Sequence, residues 1–247
     1  MTNVYIVDGA RTAFTAFGGS FAAVDAVQLG TATAVEALKR SGVKPEQIDH
    51  VVYGGVITTG QNSAYLARHI GLYAGVPQEV PALTQNRLCG SGMQSVVTAA
   101  QQILLGEANA VLAGGAENMS QSPYSNFEQR FGGAKIGDLK FIDMLSATLT
   151  DQYTGNGMGM TAEKLAEQYS ISREEQDEFA LLSHARAAAA RDAGKFKEEI
   201  VPVTVKTRKG ELVIDTDEHI KDGGTMESLA KLRPAFKKDG TVTAANA

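Results

Sequence analysis

At 247 residues the chain has room for one large or two modest domains, and its 43% apolar content is ordinary for a protein with a real core. A net charge of −5 argues against a general nucleic-acid binder, and a single cysteine excludes an intrachain disulfide framework or a cysteine-cluster metal site. The apolar runs are far too short to cross a bilayer, and Met1 to Tyr5 lacks a charged n-region followed by an apolar stretch. A cytoplasmic setting is therefore expected, with neither membrane nor nucleic acid as partner. His50, His69, His184 and His219 show no metal-ligand spacing, so no structural metal is expected. Asn118-Met119-Ser120 matches a glycosylation acceptor only by chance, and Lys231, Arg233, Lys237 and Lys238 form a basic cluster that reads as a solvated face, with phosphate contact its alternative use.

Val4 to Val7 is a short apolar run ending in Asp8-Gly9, which predicts a strand entering a loop. Helical spacing then runs from Asp25 to Arg40 and stops at Ser41-Gly42. Val51 to Tyr53 predicts a second strand. Ser63 is placed to cap a helix carrying Leu66, Ile70 and Tyr73, with Gly75 and Pro77 as terminators. Val80 to Leu88 is partly extended, and Val96, Val97, Ala99, Ala100, Ile103 and Leu104 repeat with helical spacing up to Gly106. Ala110 to Ala113 predicts a fully buried strand. Strands alternating with helices in this way imply a mostly parallel sheet covered on both faces, an α/β fold whose ligands gather where strands end and helices begin.

Cys89 stands at such a junction, just before the helix that carries Val96. Unpaired N–H groups and the positive end of the helix dipole favour an anion there. Gly90 and Gly92 remove two β-carbons beside the sulfur, which lets a carbonyl approach closely and meet backbone donors. These are the requirements of a thiolate nucleophile, although a lone cysteine also serves elsewhere as a small buried hydrophobe. Gly114 to Ser120, after the last strand, occupies a second junction; on composition alone its glycines read as a tight turn.

A polar, aromatic-spotted stretch from Ser122 to Phe127 marks a domain boundary near Gln121. Two helices follow the segment from Tyr153 to Glu163, with Thr161 as the expected cap of the first. Ser172 and Glu175 form a capping box for the second, which runs through Phe179, Leu182 and Ala189 to Gly194. Ile200 to Val205 and Glu211 to Ile214 alternate with strand period around Lys209-Gly210 and predict a hairpin. Leu232 to Phe236 and Gly240 to Ala247 complete the sequence.

Asn86-Arg87-Leu88-Cys89-Gly90-Ser91-Gly92-Met93 closely resembles the nucleophile segment of the thiolases, which make or cleave 3-oxoacyl-CoA thioesters. Gly114-Gly115-Ala116-Glu117-Asn118-Met119-Ser120 resembles a second thiolase signature, and the likeness continues collinearly from Val4 to Ala247. It implies a thiolase N-terminal α/β domain over residues 1–120, with a mostly parallel sheet between helices. An α+β loop domain for coenzyme A binding and oligomerisation is implied over 121–240, and a strand returning to the N-terminal domain over 241–247. The family's C-terminal half is absent. Carried over residue by residue, the resemblance implicates Leu149, Met158, Lys221, Ser228 and Ala244 in contacts with coenzyme A, which acts as substrate and product; no cofactor is implied. It also implies a homodimer or homotetramer, with Gly114 to Ser120 near the dimer contact.

Two positions depart from the family pattern. Gln85 stands where an aliphatic residue is common, and Gly157 replaces a histidine found in many acetoacetyl-CoA-forming members, so a preference for short acyl chains does not follow. In the family, a histidine partner and a second, base-forming cysteine come from the missing half. One cysteine cannot serve as both nucleophile and base. The chain is therefore expected to be an acetyl-CoA acetyltransferase, or a 3-oxoacyl-CoA thiolase of longer-chain β-oxidation, that is weakly active by itself. A non-catalytic half that binds coenzyme A or pairs with a complementing C-terminal thiolase half is the alternative. A cysteine hydrolase lacks any histidine and carboxylate spacing to support it.

Overall fold

The structure, a computed structural model, describes residues 3–133, 135–208 and 210–247. Its contacts group these into two compact units, one comprising residues up to Met144 with Glu199–Glu218, the other Leu145–Glu198 with His219–Ala247. Lys209, expected in the hairpin turn, and Met1 and Thr2 lie outside the described residues.

In the first unit, Asp25 caps α1 (Ala26–Ser41) by accepting the Gln28 N–H, and the Gln28 side chain reaches back to complete a capping box. Such a cap is worth about 1 kcal/mol. The helix stops at Gly42, whose φ of 70° suits a residue without a β-carbon. Strand β1 (His50–Gly54) follows, then α2 (Leu66–Tyr73), β2 (Ala82–Gln85), α3 (Ser91–Leu104) and β3 (Val111–Gly115). Ser63 does not cap α2: its hydroxyl donates to the Gly60 carbonyl at 2.9 Å, and a single 3-10 turn over Ser63–Tyr65 leads into the helix instead.

The three strands form one parallel sheet in the order β2-β1-β3, with Val51 level with Ala82 on one side and Leu112 on the other. Val51 and Tyr53 join Leu112 and residues of α1 and α2, among them Leu38 and Ile70, in one core. Each such fully buried aliphatic side chain contributes roughly 1.5–3 kcal/mol. By strand alternation Val52 and Gly54 face the opposite side, where α3 packs. There Ser95, fully buried, donates to the Gly114 carbonyl at 2.7 Å.

The predicted strand after Gly106 is present but only Leu112 within it is buried, because β3 is an edge strand. Val4 to Val7 is extended without being a strand. Among the described residues no ladder pairs with it, and Tyr5, Ile6 and Val7 are 74%, 83% and 67% exposed.

Two short antiparallel ladders follow, β4 (Tyr124–Ser125) with β5 (Ile142–Asp143), and, after α4 (Met144–Thr148), β6 (Thr150–Asp151) with β7 (Asn156–Gly157). Helices α5 (Met158–Tyr169) and α6 (Arg173–Asp192) come next, then the hairpin β8 (Val203–Thr207) and β9 (Gly210–Ile214), and α7 (Met226–Ala230).

The units are drawn elsewhere than at residues 120 and 240. The hairpin belongs to the first because Arg11 holds it: the Arg11 carbonyl accepts the Val201 N–H at 2.7 Å, and its guanidinium donates to both oxygens of Asp217 at 2.8 and 3.0 Å. Glu218 adds bonds from the Ala16 and Ser20 N–H groups.

In the second unit the Ser172–Glu175 capping box forms as the sequence predicts. Thr161, however, lies within α5; the helix begins earlier, after extended Gly157, because the Met158 N–H is already bonded to the Leu149 carbonyl at 3.1 Å. Phe179 and Leu182 of α6 are 70% and 44% exposed. No return strand forms over 241–247, since the Thr241 and Val242 N–H groups go to the Glu163 carboxylate and that of Thr243 to Asn246. Among the described residues no helix is long and apolar enough to cross a membrane.

Candidate functional site

Strand β2 ends at Gln85 and α3 begins at Ser91, so five residues must turn the chain from sheet to helix. Asn86 opens the turn by accepting the Leu88 N–H on its side-chain oxygen at 2.8 Å, an Asx turn. Leu88 then takes a φ of 49°, in the left-handed region that a leucine rarely adopts. Ser91, 4% exposed, locks this conformation: its hydroxyl accepts the Arg87 N–H at 2.8 Å and donates to the Leu88 carbonyl at 2.7 Å. Arg87 is further tied to the side chain of Gln94. Cys89 sits at the crest of this elbow, exposed.

The helix behind it is seated by glycines. A β-carbon on Gly54 would strike the Ser91 carbonyl carbon, and one on Gly115 would lie 3.1 Å from Gly92 Cα. Only bare backbone at the ends of β1 and β3 lets the start of α3 come this close. Among the described residues a β-carbon on Gly92 itself would meet nothing within 4 Å, so the space beside it is open. Among the described residues no side chain caps α3, and of its first-turn amides that of Ser91 is accepted by the Leu88 carbonyl at 2.9 Å. The arrangement offers a sulfur on a held turn before a fourteen-residue helix whose dipole favours negative charge. Among the described residues no hydrogen bond joins Cys89 to a histidine, and no cluster of three or more histidine, cysteine or acidic residues is placed to hold a metal ion.

Glu117, in the second junction, is a residue whose environment the sequence did not disclose. Burial pushes its carboxyl above the ordinary value, and bonds from the Val56 N–H at 2.7 Å and the Ile57 N–H oppose that rise. It lines a cavity of about 420 Å³ together with Asp25, Ile57, Thr59, Leu66 and Gln121. Asn86 reaches the same loop, donating to the Val56 carbonyl at 3.1 Å.

The five residues implicated in coenzyme contacts all lie in the second unit and are all exposed. Leu149 and Met158 are brought together by their backbone bond and the β6–β7 ladder. A β-carbon on Gly157 between them would meet only the Leu149 carbonyl oxygen, at 3.8 Å. Gly159 is required by Phe236, whose ring a β-carbon would strike, so the segment at the start of α5 is packed on the segment before Gly240. The Ser228 hydroxyl is engaged in the cap of α7, donating to the Thr225 carbonyl at 2.7 Å. The Lys221 N–H donates to His184 Nδ1 at 3.2 Å. Ala244 is on the outer side of a turn closed by the Ala247 N–H and Thr243 carbonyl at 3.1 Å.

Comparison with known proteins gives a concordant picture. The family described as "Thiolase, N-terminal domain" matches residues 4–247. The chain is 48% identical over 247 residues to "3-ketoacyl-CoA thiolase, mitochondrial" of Homo sapiens, covering 100% of this chain and 62% of that protein. It is 49% identical over 251 residues to "Acetyl-CoA acetyltransferase" of Cupriavidus necator, covering 100% of this chain and 63% of the relative. The crystal structure of human mitochondrial 3-ketoacyl-CoA thiolase superposes with a TM-score of 0.94 at 49% identity, covering 98% of this chain and 61% of that one. The chain thus spans about three-fifths of the length of the relatives it matches.

Proposed function

The chain belongs to the thiolase family, and from that premise we propose that it carries the acyl-accepting part of an acetyl-CoA C-acetyltransferase, with Cys89 as nucleophile. The observation that carries this reading is the exposed sulfur on a locked elbow directly ahead of α3. The Cys89 thiolate attacks the carbonyl carbon of acetyl-CoA, a sulfur–carbon bond forms, and the tetrahedral oxyanion collapses to expel coenzyme A as its thiolate, which takes up a proton. The α-carbon of a second acetyl-CoA, once deprotonated, then attacks the acyl-cysteine, forms the new carbon–carbon bond and releases the Cys89 thiolate. Thiolysis is the reverse.

That deprotonation needs a base. The only cysteine in these 247 residues is already the nucleophile, so acylation is within their reach while a second, base-forming cysteine is not among them. Without that base the second stage is slower by several orders of magnitude. We place coenzyme A against Leu149, Met158, Lys221, Ser228 and Ala244; their exposure and the Leu149–Met158 pairing support this. Near-equal identities of 48% and 49% to a 3-ketoacyl-CoA thiolase and an acetyl-CoA acetyltransferase leave acyl length to the site itself. The open space at Gly157 supports a 3-oxoacyl-CoA of longer chain, in fatty acid metabolism, as the second reading.

The partner we propose is a complementing C-terminal thiolase half, together with a second copy of this chain in a homodimer or homotetramer. Exposed Tyr5, Ile6 and Val7 and the run of exposed Phe127, Phe131 and Ile136 support surfaces that are covered in an assembly. A lone thiol nucleophile suits the reducing cytoplasm, and fractionation decides between that setting and the mitochondrial one of the human relative.

The test is intact-mass analysis after incubation with acetyl-CoA. An acetyl adduct is expected on the wild-type chain and not on Cys89→Ser. Absence of adduct even with a C-terminal half supplied would sink the proposal.

A further inference from the structure

Two carboxylates that acyl transfer does not use are almost sealed within the second unit: Glu163 on α5 is 4% exposed and Asp177 on α6 is 2% exposed. Both are turned to residues 241–246. The Glu163 oxygens accept the Thr241 N–H at 3.0 and 2.9 Å, the Val242 N–H at 2.9 Å and the Thr241 hydroxyl at 3.2 Å. Asn246 donates to Asp177 at 2.8 Å and to the Thr241 carbonyl at 3.2 Å, while its own oxygen accepts the Thr243 N–H at 2.6 Å. The two acids are compensated differently. Asp177 has Arg173 at 2.7 Å, whereas among the described residues the hydrogen bonds to Glu163 come from Thr241 and Val242, with the charge of Lys237 acting on it without such a bond.

A buried carboxylate costs free energy unless its lone pairs are filled, and a carboxylate filled by successive amides fixes the conformation of the segment that supplies them. That segment has no regular structure of its own, and between its two ties Ala244 is the residue left exposed. We propose that Glu163 and, through Asn246, Asp177 are positioning residues that hold residues 241–246 in the shape that receives coenzyme A. The inference rests on the reading that Ala244 touches the coenzyme, and it adds what keeps Ala244 in place.

The experiment titrates the full chain with coenzyme A by calorimetry and follows amide hydrogen exchange over residues 240–247. Glu163→Gln replaces an acceptor oxygen by an amide facing the same donors. It should weaken coenzyme binding at least tenfold and speed exchange at Thr241 and Val242 at least tenfold, with protection at Val51 to Tyr53 unchanged. Ser172→Ala removes the cap of α6 in the same unit and should leave affinity within twofold, separating positioning from general stability. Should Glu163→Gln fail to fold, Asn246→Ala, which cuts the tie to Asp177, should still weaken binding at least threefold. Unchanged affinity in a folded variant alongside binding by wild type overturns this inference alone. Absence of binding by wild type overturns the coenzyme reading, and this inference with it.

Discussion

The Ser91 hydroxyl donates to the Leu88 carbonyl at 2.7 Å across the turn that carries Cys89, and Leu88 is held at a φ of 49°. Left-handed backbone costs an ordinary residue about 1–2 kcal/mol, so this bond and the Arg87 N–H bond to the same hydroxyl work against a standing strain. Ser91→Ala removes both bonds at a buried position. We expect a loss of about 1–3 kcal/mol in urea denaturation and markedly slower acetylation of Cys89 by mass spectrometry.

Leu88→Gly tests the strain from the other side. Glycine accepts the positive φ freely but loses more freedom on folding, so stability should rise by no more than about 1 kcal/mol, or hold level. Acetylation should fall because the turn is no longer held to one shape. A variant that is both more stable and equally reactive would show that the elbow's rigidity contributes nothing to the sulfur's chemistry.

Glu117 gives a pH signature. Burial raises its folded value above the ordinary 4.5, so the folded chain keeps a proton that the unfolded chain has released. Stability tied to this group is complete below 4.5 and is lost as pH rises through the raised value. Glu117→Gln keeps an oxygen for the Val56 N–H but does not titrate. The decline in unfolding free energy above pH 4.5 should flatten in the variant, as read from urea midpoints across a pH series.

Asp217 behaves oppositely. Burial pushes its carboxyl up, but the Arg11 guanidinium and the Phe14 N–H outweigh that and hold it below the ordinary 3.8. Its contribution is present above 3.8 and is lost as pH falls through the lowered value. Asp217→Asn should cost about 1.5–3 kcal/mol at neutral pH, and the gap from wild type should close in strong acid.

The exposed apolar residues predict association. Along α3 Met93 and Leu104 are 72% and 56% exposed, and the outer edge of β2 has no strand beside it among the described residues. Light scattering after size exclusion should find a dimer or larger species, and a clean monomer at micromolar concentration would count against it.

Much of this was legible in the sequence where local chemistry decides the outcome. Asp25 was legible as a helix start though not as its cap. Ser172 announces its helix because a capping box is a four-residue affair, and Gly42 and Gly194 mark ends because only a left-handed residue fits there. Cys89 could be placed before a helix for the same reason. Val4 to Val7 reads as a strand, yet a strand exists only when a distant partner fills its hydrogen bonds, and a short apolar run is silent about the partner. Residues 241–247 failed similarly: the first two amides went to Glu163, which is 78 positions from Thr241 and gives no local sign of the capture. The raised Glu117 carboxyl and the left-handed Leu88 are also products of packing.

The parallel order β2-β1-β3 carries a consequence for biogenesis. Val51 is flanked by Ala82 and by Leu112, so the central strand leaves the ribosome with neither neighbour yet made, and closing those distances must precede any reward from pairing. The elbow that carries Cys89, seated on Gly54 and Gly115 alike, cannot acquire its final shape until translation has passed the second of these glycines. A nascent chain stalled before that point should carry a thiol that reagents reach but thioesters do not acylate.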